Sequence, residues 1–312
     1  MIRLGYACIS MATKNNPNKK TTLGQLEKLD HAGQRKKLRS ILQTNFFNLM
    51  DVLAYNREHK IFLYRLPSEF VPFATHPVAE GWDWESEFRW DFEKAGEFIR
   101  THNMRITSHP GHYSILNTPN PEVLEATIKD FDYHARVLDR MGLDADSVMV
   151  THVGGVYGDK RASLERFADH YKTLPPFIKN RLVVENDDTS FTMREVLELC
   201  EAIQAPMVLD VHHHNCINDG EELVEYLPRI FRTWGERTPK IHFSSPKSDR
   251  DFRSHADDID VDEFLQLVGI LTNKRVDIML ECKNKDFALL KLRKELAEAG
   301  LMPEDEAEKL PL

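Results

Sequence analysis

Short apolar runs alternate along the chain with stretches whose apolar residues recur every three or four positions. The runs are Ile2–Ile9, Ile61–Arg65, Arg105–His109, Ser147–His152, Arg181–Asn186, Met207-Val208-Leu209 leading into Asp210, Lys240–Phe243 and Val276–Glu281. After the first run, Leu38, Leu42, Phe46, Leu49 and Leu53 mark one face of a helix over about 34–59. A second helix is expected near 86–102, beyond a long loop through Phe70, Phe73, His76, Trp82 and Trp84. A third opens at Asn120-Pro121, a cap residue followed by proline at the first helical position, with Leu124, Ile128, Phe131, Leu138 and Met141 as its stripe. Thr192 and Glu195 have capping-box spacing, and a helix over about 286–299 comes last. Strands alternating with helices predict repeated βα units and a parallel sheet. Eight units predict a single-domain (β/α)8 TIM barrel over residues 1–302, followed by an acidic, flexible tail over 303–312. A doubly wound open sheet would show the same alternation.

The polar residues tip the choice. His109, His152, Glu185, Asp210, His242 and Glu281 stand at the C-terminal ends of the third to eighth runs. In a parallel barrel those ends converge on one face, where such barrels place their chemistry. One histidine at a strand end is usually an ordinary hydrogen-bonded group. Six strands delivering only His, Asp and Glu form a metal-site pattern suited to Zn, Mn or Fe, because crowded carboxylates need a cation to stay ionised. His76 and His255 lie in loops expected on the same face, and His112 follows Pro110-Gly111 beside Tyr113. His31, His59, His102, His134 and His170 fall in or beside helices and read as ordinary. Within Asp210-Val211-His212-His213-His214, strand alternation places Asp210 and His212 on one face.

Composition narrows the partners. The 312 residues are 41% hydrophobic and 29% charged, with no run near the ~20 apolar residues that span a bilayer and no leader-like opening. A cytoplasmic protein without membrane partners is expected. Four cysteines, none in a CxxC pair, exclude a disulfide scaffold and a thiolate zinc site and read as packing residues. The net charge of -9 argues against nucleic-acid binding through bulk charge, although bound divalent cations would make one site locally positive. Basic residues nevertheless collect in loops of the presumed active face: Lys14, Lys19 and Lys20 without an acid among them, then Lys160 and Arg161, Lys247, Arg250 and Arg253, Lys283 and Lys285. That distribution suits a protein gripping a phosphate backbone. The uncharged loop Gly111–Leu116, with Tyr113 at its tip, could wedge into a base stack. Tyr64, Arg65 and Lys240 could add charge stabilisation.

The ordered set Gly5-Tyr6, Ser108-His109-Pro110-Gly111, Thr151-His152-Val153-Gly154-Gly155, Val184-Glu185-Asn186-Asp187, Asp210-Val211-His212-His213, Lys240-Ile241-His242 and Leu280-Glu281 resembles the UV damage endonuclease family. That family groups with endonuclease IV among metal-dependent TIM barrels, and the likeness runs from the first strand to the last. It implies a hydrolase that nicks damaged double-stranded DNA immediately 5' to a lesion, leaving a 3'-hydroxyl and a 5'-phosphate. It also implies two or three divalent ions, foremost Mn2+, with Zn2+ or Co2+ as substitutes. By the same resemblance His109 and His152 hold one ion, and Glu185 bridges it to a second held by Asp210, His242 and Glu281. His213 and His255 serve a third ion near Asp210, so the resemblance selects His213 where alternation selects His212. Lys240, Glu185 and Tyr6 are implied at the chemistry. His76, His112, Tyr113, Lys14, Lys19, Lys20 and Arg253 are expected at the DNA or the lesion. The family usually carries Gln-Tyr where this chain has His112-Tyr113, which bears on lesion range. Such an enzyme needs no obligate protein partner and is expected as a monomer. The competing readings are an abasic-site endonuclease of the same superfamily and a metal-dependent sugar isomerase or epimerase.

Overall fold

The computed structural model describes residues 2–271 and 275–301. Its barrel strands are β1 (Ile2–Ala7), β2 (Leu63–Arg65), β3 (Arg105–Thr107), β4 (Met149–His152), β5 (Leu182–Glu185), β6 (Met207–Asp210) and β7 (Lys240–Phe243). After a separate hairpin, β8 (Pro246–Ser248) and β9 (Asp251–His255), the last barrel strand is β10 (Val276–Leu280). The eight barrel strands run in the order β3-β2-β1-β10-β7-β6-β5-β4. Every pairing between neighbours in that order is parallel. A single parallel bridge, Ser108 to Met149, brings β3 to β4 and nearly closes the ring. This is the expected TIM barrel. The tail over 303–312 lies outside the described residues. No helix among the described residues is long and apolar enough to cross a membrane.

Alternation along β1 sorts inside from outside. Leu4 and Tyr6 join the layer formed with Leu42, Phe46 and Leu49 of the helix His31–Glu58. Arg3 and Ala7 face inward. At the N-terminal end of the barrel, the Arg3 Nε and Nη2 donate to Asp277 at 2.6 and 2.7 Å, and Arg105 Nη1 donates to it at 2.8 Å. At the same end Arg181 donates to the carbonyls of Leu143, Asp144 and Ser147, and Arg105 Nε to that of Asp146. These bonds clasp the turn that feeds β4.

Several boundaries differ from expectation for local reasons. The first long helix begins at His31, because the Asp30 side chain accepts from Gly33 N and caps it there. The stretch 86–102 is two helices, Trp84–Glu87 and Arg89–Thr101, joined at Phe88. β1 stops at Ala7, since Cys8 adopts φ 67° and its carbonyl accepts from the Tyr64 hydroxyl at 2.7 Å. The β8–β9 hairpin occupies a stretch expected to be loop. Pro246 and a run of charged residues hide its alternation.

Candidate metal centre

Register delivers the strand-end residues to one level. His152 pairs with Glu185, and Asp210 pairs with His242. His109 and Glu281 follow just beyond β3 and β10. Among the described residues two donor groups form: His109, His152 and Glu185, and Glu185, Asp210, His242 and Glu281. Within each group one ligand atom per residue lies within 4.8 Å of the others. Glu185 belongs to both. Its Oε2 faces His152 Nε2 at 3.0 Å and His109 Nε2 at 3.3 Å, while Oε1 contacts His242 Nδ1.

The donor chemistry fits cations. His109 Nδ1 lies 2.9 Å from the Pro110 carbonyl, an acceptor, so the proton of the neutral ring belongs on Nδ1. Nε2 then turns a lone pair toward the Glu185 carboxylate, and two acceptors face one another until a cation lies between them. Burial opposes a proton in that role by lowering the His109 pKa. Asp210 repeats the point. It is fully buried, Oδ1 accepts from His213 N at 2.8 Å, and Oδ2 has no hydrogen-bond partner among the described residues. Burial raises its pKa to about 7, with Glu185 and Glu281 adding to the effect against His213. Burial would likewise raise Glu185 and Glu281. His242 and His152 hold Glu185 well below the usual carboxylate range, and Arg65 and His242 lower Glu281. Burial pushes His242 down to about 3.

The strand-to-helix transition at Asp210 decides between the neighbouring histidines. Asp210 is the N-cap of a short helix, Val211–Cys216, so period-two alternation ends there. His212 turns away and meets the Arg253 carbonyl of β9 at 3.0 Å. His213 turns toward His152, with ring centroids 5.7 Å apart, and its Nδ1 lies 2.8 Å from the Asn186 carbonyl and 3.7 Å from Asp210 Oδ2. The face predicted by alternation, Asp210 with His212, is therefore corrected. His255 Nδ1 meets Ser244 Oγ at 2.5 Å, and its ring centroid is 6.5 Å from that of His213. Neither His213 nor His255 falls within the two donor groups.

Tyr6 is a second correction. Its position on β1 points it out of the barrel, where the buried hydroxyl donates to Asn56 of the helix His31–Glu58 at 2.8 Å and touches none of the donor groups. Tyr64 lies against it on the same side, ring centroids 5.3 Å apart. Arg65 points inward instead, pairing with Glu281 and reaching His242 Nε2 at 2.9 Å. Lys240 Nζ meets the same His242 nitrogen at 2.6 Å, and burial together with Arg65 holds its pKa well below the lysine range.

Around the mouth, His112 and Tyr113 are exposed, Tyr113 at 60%. The Tyr113 ring folds over Gly111, where a Cβ would lie 2.4 Å from it, so a larger residue there would have to displace the ring. Ser114 Oγ donates to Asp130 at 2.5 Å and Ile115 N to Thr127 at 3.0 Å, anchoring the loop on the helix Pro121–Arg140. A cavity of about 220 Å³ beside the tip is lined by Lys20, Phe73, His76, Tyr113 and Tyr133 among others. His76 also caps a short turn through Val78 N. The basic rim is more neutralised than its sequence suggests. Lys20 pairs with Glu69 at 3.4 Å, Lys160 with Glu195 at 2.7 Å and Lys247 with Asp251 at 2.9 Å, while Arg253 donates to the Asp188 carbonyl at 2.6 Å. Lys14 and Lys19 are exposed and carry no ion pair among the described residues.

Asn186 acts through contacts that the sequence did not announce. It exchanges two 2.9 Å hydrogen bonds with the Asp210 backbone and offers its carbonyl to His213. Its place directly after Glu185 was the available signal.

The profile of the UV-endonuclease UvdE family matches residues 2–305. The chain belongs to that family. A UV DNA damage endonuclease of Bacillus cereus (strain B4264) is 38% identical over 302 residues, covering 95% of each chain. The crystal structure of SacUVDE superposes with a TM-score of 0.87 at 31% identity, over 96% of this chain and 99% of that one. Endonuclease IV from Thermus thermophilus aligns with a TM-score of 0.55 at 16% identity, over 95% of this chain and 99% of that one, a likeness of fold alone.

Proposed function

We propose that this UvdE-family chain is a cytoplasmic, metal-dependent phosphodiesterase that nicks double-stranded DNA immediately 5' to UV photoproducts, leaving a 3'-hydroxyl and a 5'-phosphate. The observation that carries this reading is Glu185, one buried carboxylate shared by two donor groups at the mouth of the barrel. His109 and His152 would hold one cation with Glu185, and Asp210, His242 and Glu281 a second. His213 and His255 would serve a third beside Asp210. Bound divalent cations, manganese foremost with zinc or cobalt as substitutes, supply Lewis acidity at a phosphodiester.

The chain's own groups do the remaining work. Arg65, buried against Glu281 and His242, keeps positive charge next to the carboxylates and orients both. Asn186 fixes Asp210 from its backbone and turns His213 by accepting from Nδ1. Lys240 acts on the far nitrogen of His242, and its buried position makes it a supporting group for the cluster rather than a contact to open solvent. Tyr113 and His112 would test the distorted base stack, with His76 and Lys20 at the adjoining cavity.

A 5'-labelled duplex irradiated with UV tests the reading. Cutting should occur 5' to the photoproduct, require a divalent ion, and fall by at least ~10³-fold in Glu185→Ala, which removes charge from both donor groups. Metal-replete wild-type protein that leaves irradiated and abasic duplexes intact would refute it.

A further inference from the structure

The loop after β1 is fastened far more firmly than its exposed lysines require. Asp286, fully buried in the first turn of the helix Lys285–Glu298, accepts from Ser10 Oγ at 2.8 Å, Met11 N at 2.6 Å and Ala12 N at 3.2 Å. Asn16 closes the loop on itself, its Oδ1 accepting from Ser10 N at 2.7 Å and its Nδ2 donating to Ser10 O at 3.0 Å. Asn48 donates to the Asn16 carbonyl at 2.8 Å. Asn45, also fully buried, grips Lys19 by both backbone groups, accepting from N at 2.8 Å and donating to O at 3.1 Å. Its Nδ2 also donates to the Phe70 carbonyl at 2.9 Å, which ties this loop to the one leading to His76.

Burying two amides and a carboxylate to hold a surface loop carries a desolvation cost that only a fixed loop repays. What is fixed here carries Lys14 and Lys19, both exposed and without an ion pair among the described residues. The loop leaves the C-terminal end of β1, the face of the donor groups, and its far end at Lys20 and Thr21 lines the cavity beside Tyr113. Most other basic residues of that rim are already engaged by acids or carbonyls.

We infer that Asn45, with Asn16, is a positioning residue that holds Lys14 and Lys19 in place for the phosphate backbone of the bound duplex. The inference rests on the proposed endonuclease reading and deepens it. An ordered cationic loop meets the backbone without first losing its freedom, so the two lysines should count in affinity and in salt dependence.

The test is a mutant cycle on the metal-replete protein with irradiated duplex, reading KM, kcat and the salt slope of DNA binding. The double variant Lys14→Ala/Lys19→Ala should raise KM roughly tenfold and lower the log–log salt slope by about 1–2. Asn45→Ala should raise KM by a similar factor, lower the slope in the same way and leave kcat within about twofold. Adding it to the lysine variant should change little more, because both act through the same contacts. Asn16→Ala, a half-buried position safer for folding, should reproduce the effect in part. Full additivity of Asn45→Ala with the lysine variant, or an unchanged slope in both asparagine variants, would overturn the positioning role. An unchanged KM and slope in the lysine variant would overturn the inference at its base, while the wild type's cutting of irradiated duplex separately decides the endonuclease reading.

Discussion

The two ends of the barrel handle buried charge in opposite ways, and one strand shows both. Asp277, at the start of β10, receives three N–H groups from Arg3 and Arg105. Glu281, just past the end of the same strand, meets one arginine, Arg65, and lies among Glu185, Asp210 and His242. At the first end each carboxylate oxygen has donors, and arginines also engage the carbonyls of the turn feeding β4. At the second, lone pairs face lone pairs, and Asp210 Oδ2 has no hydrogen-bond partner among the described residues. The first arrangement is finished by the chain itself. The second has the donor chemistry of a site that could hold cations, in keeping with the separation of stability and catalysis between the faces of such barrels.

The largest expected effect at the finished end follows from breaking it. Asp277→Ala leaves the buried Arg105 and the half-buried Arg3 without their carboxylate and should cost roughly 3–5 kcal/mol of stability, read by denaturant unfolding. Glu281→Ala at the other end should cost far less stability and far more cutting. Equal stability losses in the two variants would erase the contrast.

A second break uses pH. The Asp210 pKa in the folded chain is raised to about 7 by burial, above its unfolded value of about 3.9. A raised folded value contributes stability that is fully present below the unfolded pKa and lost as pH rises through the folded one. His213, where burial is outweighed by Asp210 and Glu185 so that its pKa rises to about 9, has the same sign. Asp210 and His213 should therefore favour the folded metal-free protein at low pH, against the opposite contribution of His242, pushed down to about 3, so the test is a difference: relative to wild type, Asp210→Asn should gain stability by on the order of 1–3 kcal/mol as pH rises from about 4 to 7. Thermal unfolding of the two proteins across that range checks it, and a difference between them that does not change with pH would contradict the charge assignment.

The smallest effect concerns the exposed rim. Tyr113→Ala should reduce cutting of irradiated duplex more than it weakens binding to undamaged duplex, by roughly tenfold against less than about threefold. Equal losses in cutting and binding would make the tip a general contact.

The two ends were also unequally legible. The eight strands could be read because each is a short apolar run, and the strand-end His, Asp and Glu residues stood out because such types rarely close an apolar run. The finished end left little trace, since arginines bonding to carbonyls depend on turns that a linear pattern does not reveal. Tyr6 misled because a residue near the C-terminal end of a strand faces the site or the helices according to alternation alone, and Tyr6 shares the outward parity of Leu4. Alternation alone would have chosen His212 for the reverse reason, because it was carried past Asp210, where the chain had already become helical, whereas the family resemblance chose His213. The β1 loop's buried amides were invisible, because Asn45 and Asn48 look like ordinary polar positions of an amphipathic helix.

The most direct measurement is the number of manganese ions bound per chain, by equilibrium dialysis with elemental analysis, for wild type, Glu185→Gln and Asp277→Asn. The account predicts at least two ions in the wild type, a loss of at least one in Glu185→Gln, and no change in folded Asp277→Asn. A wild type that binds none, or Glu185→Gln that binds as many as the wild type, would contradict it.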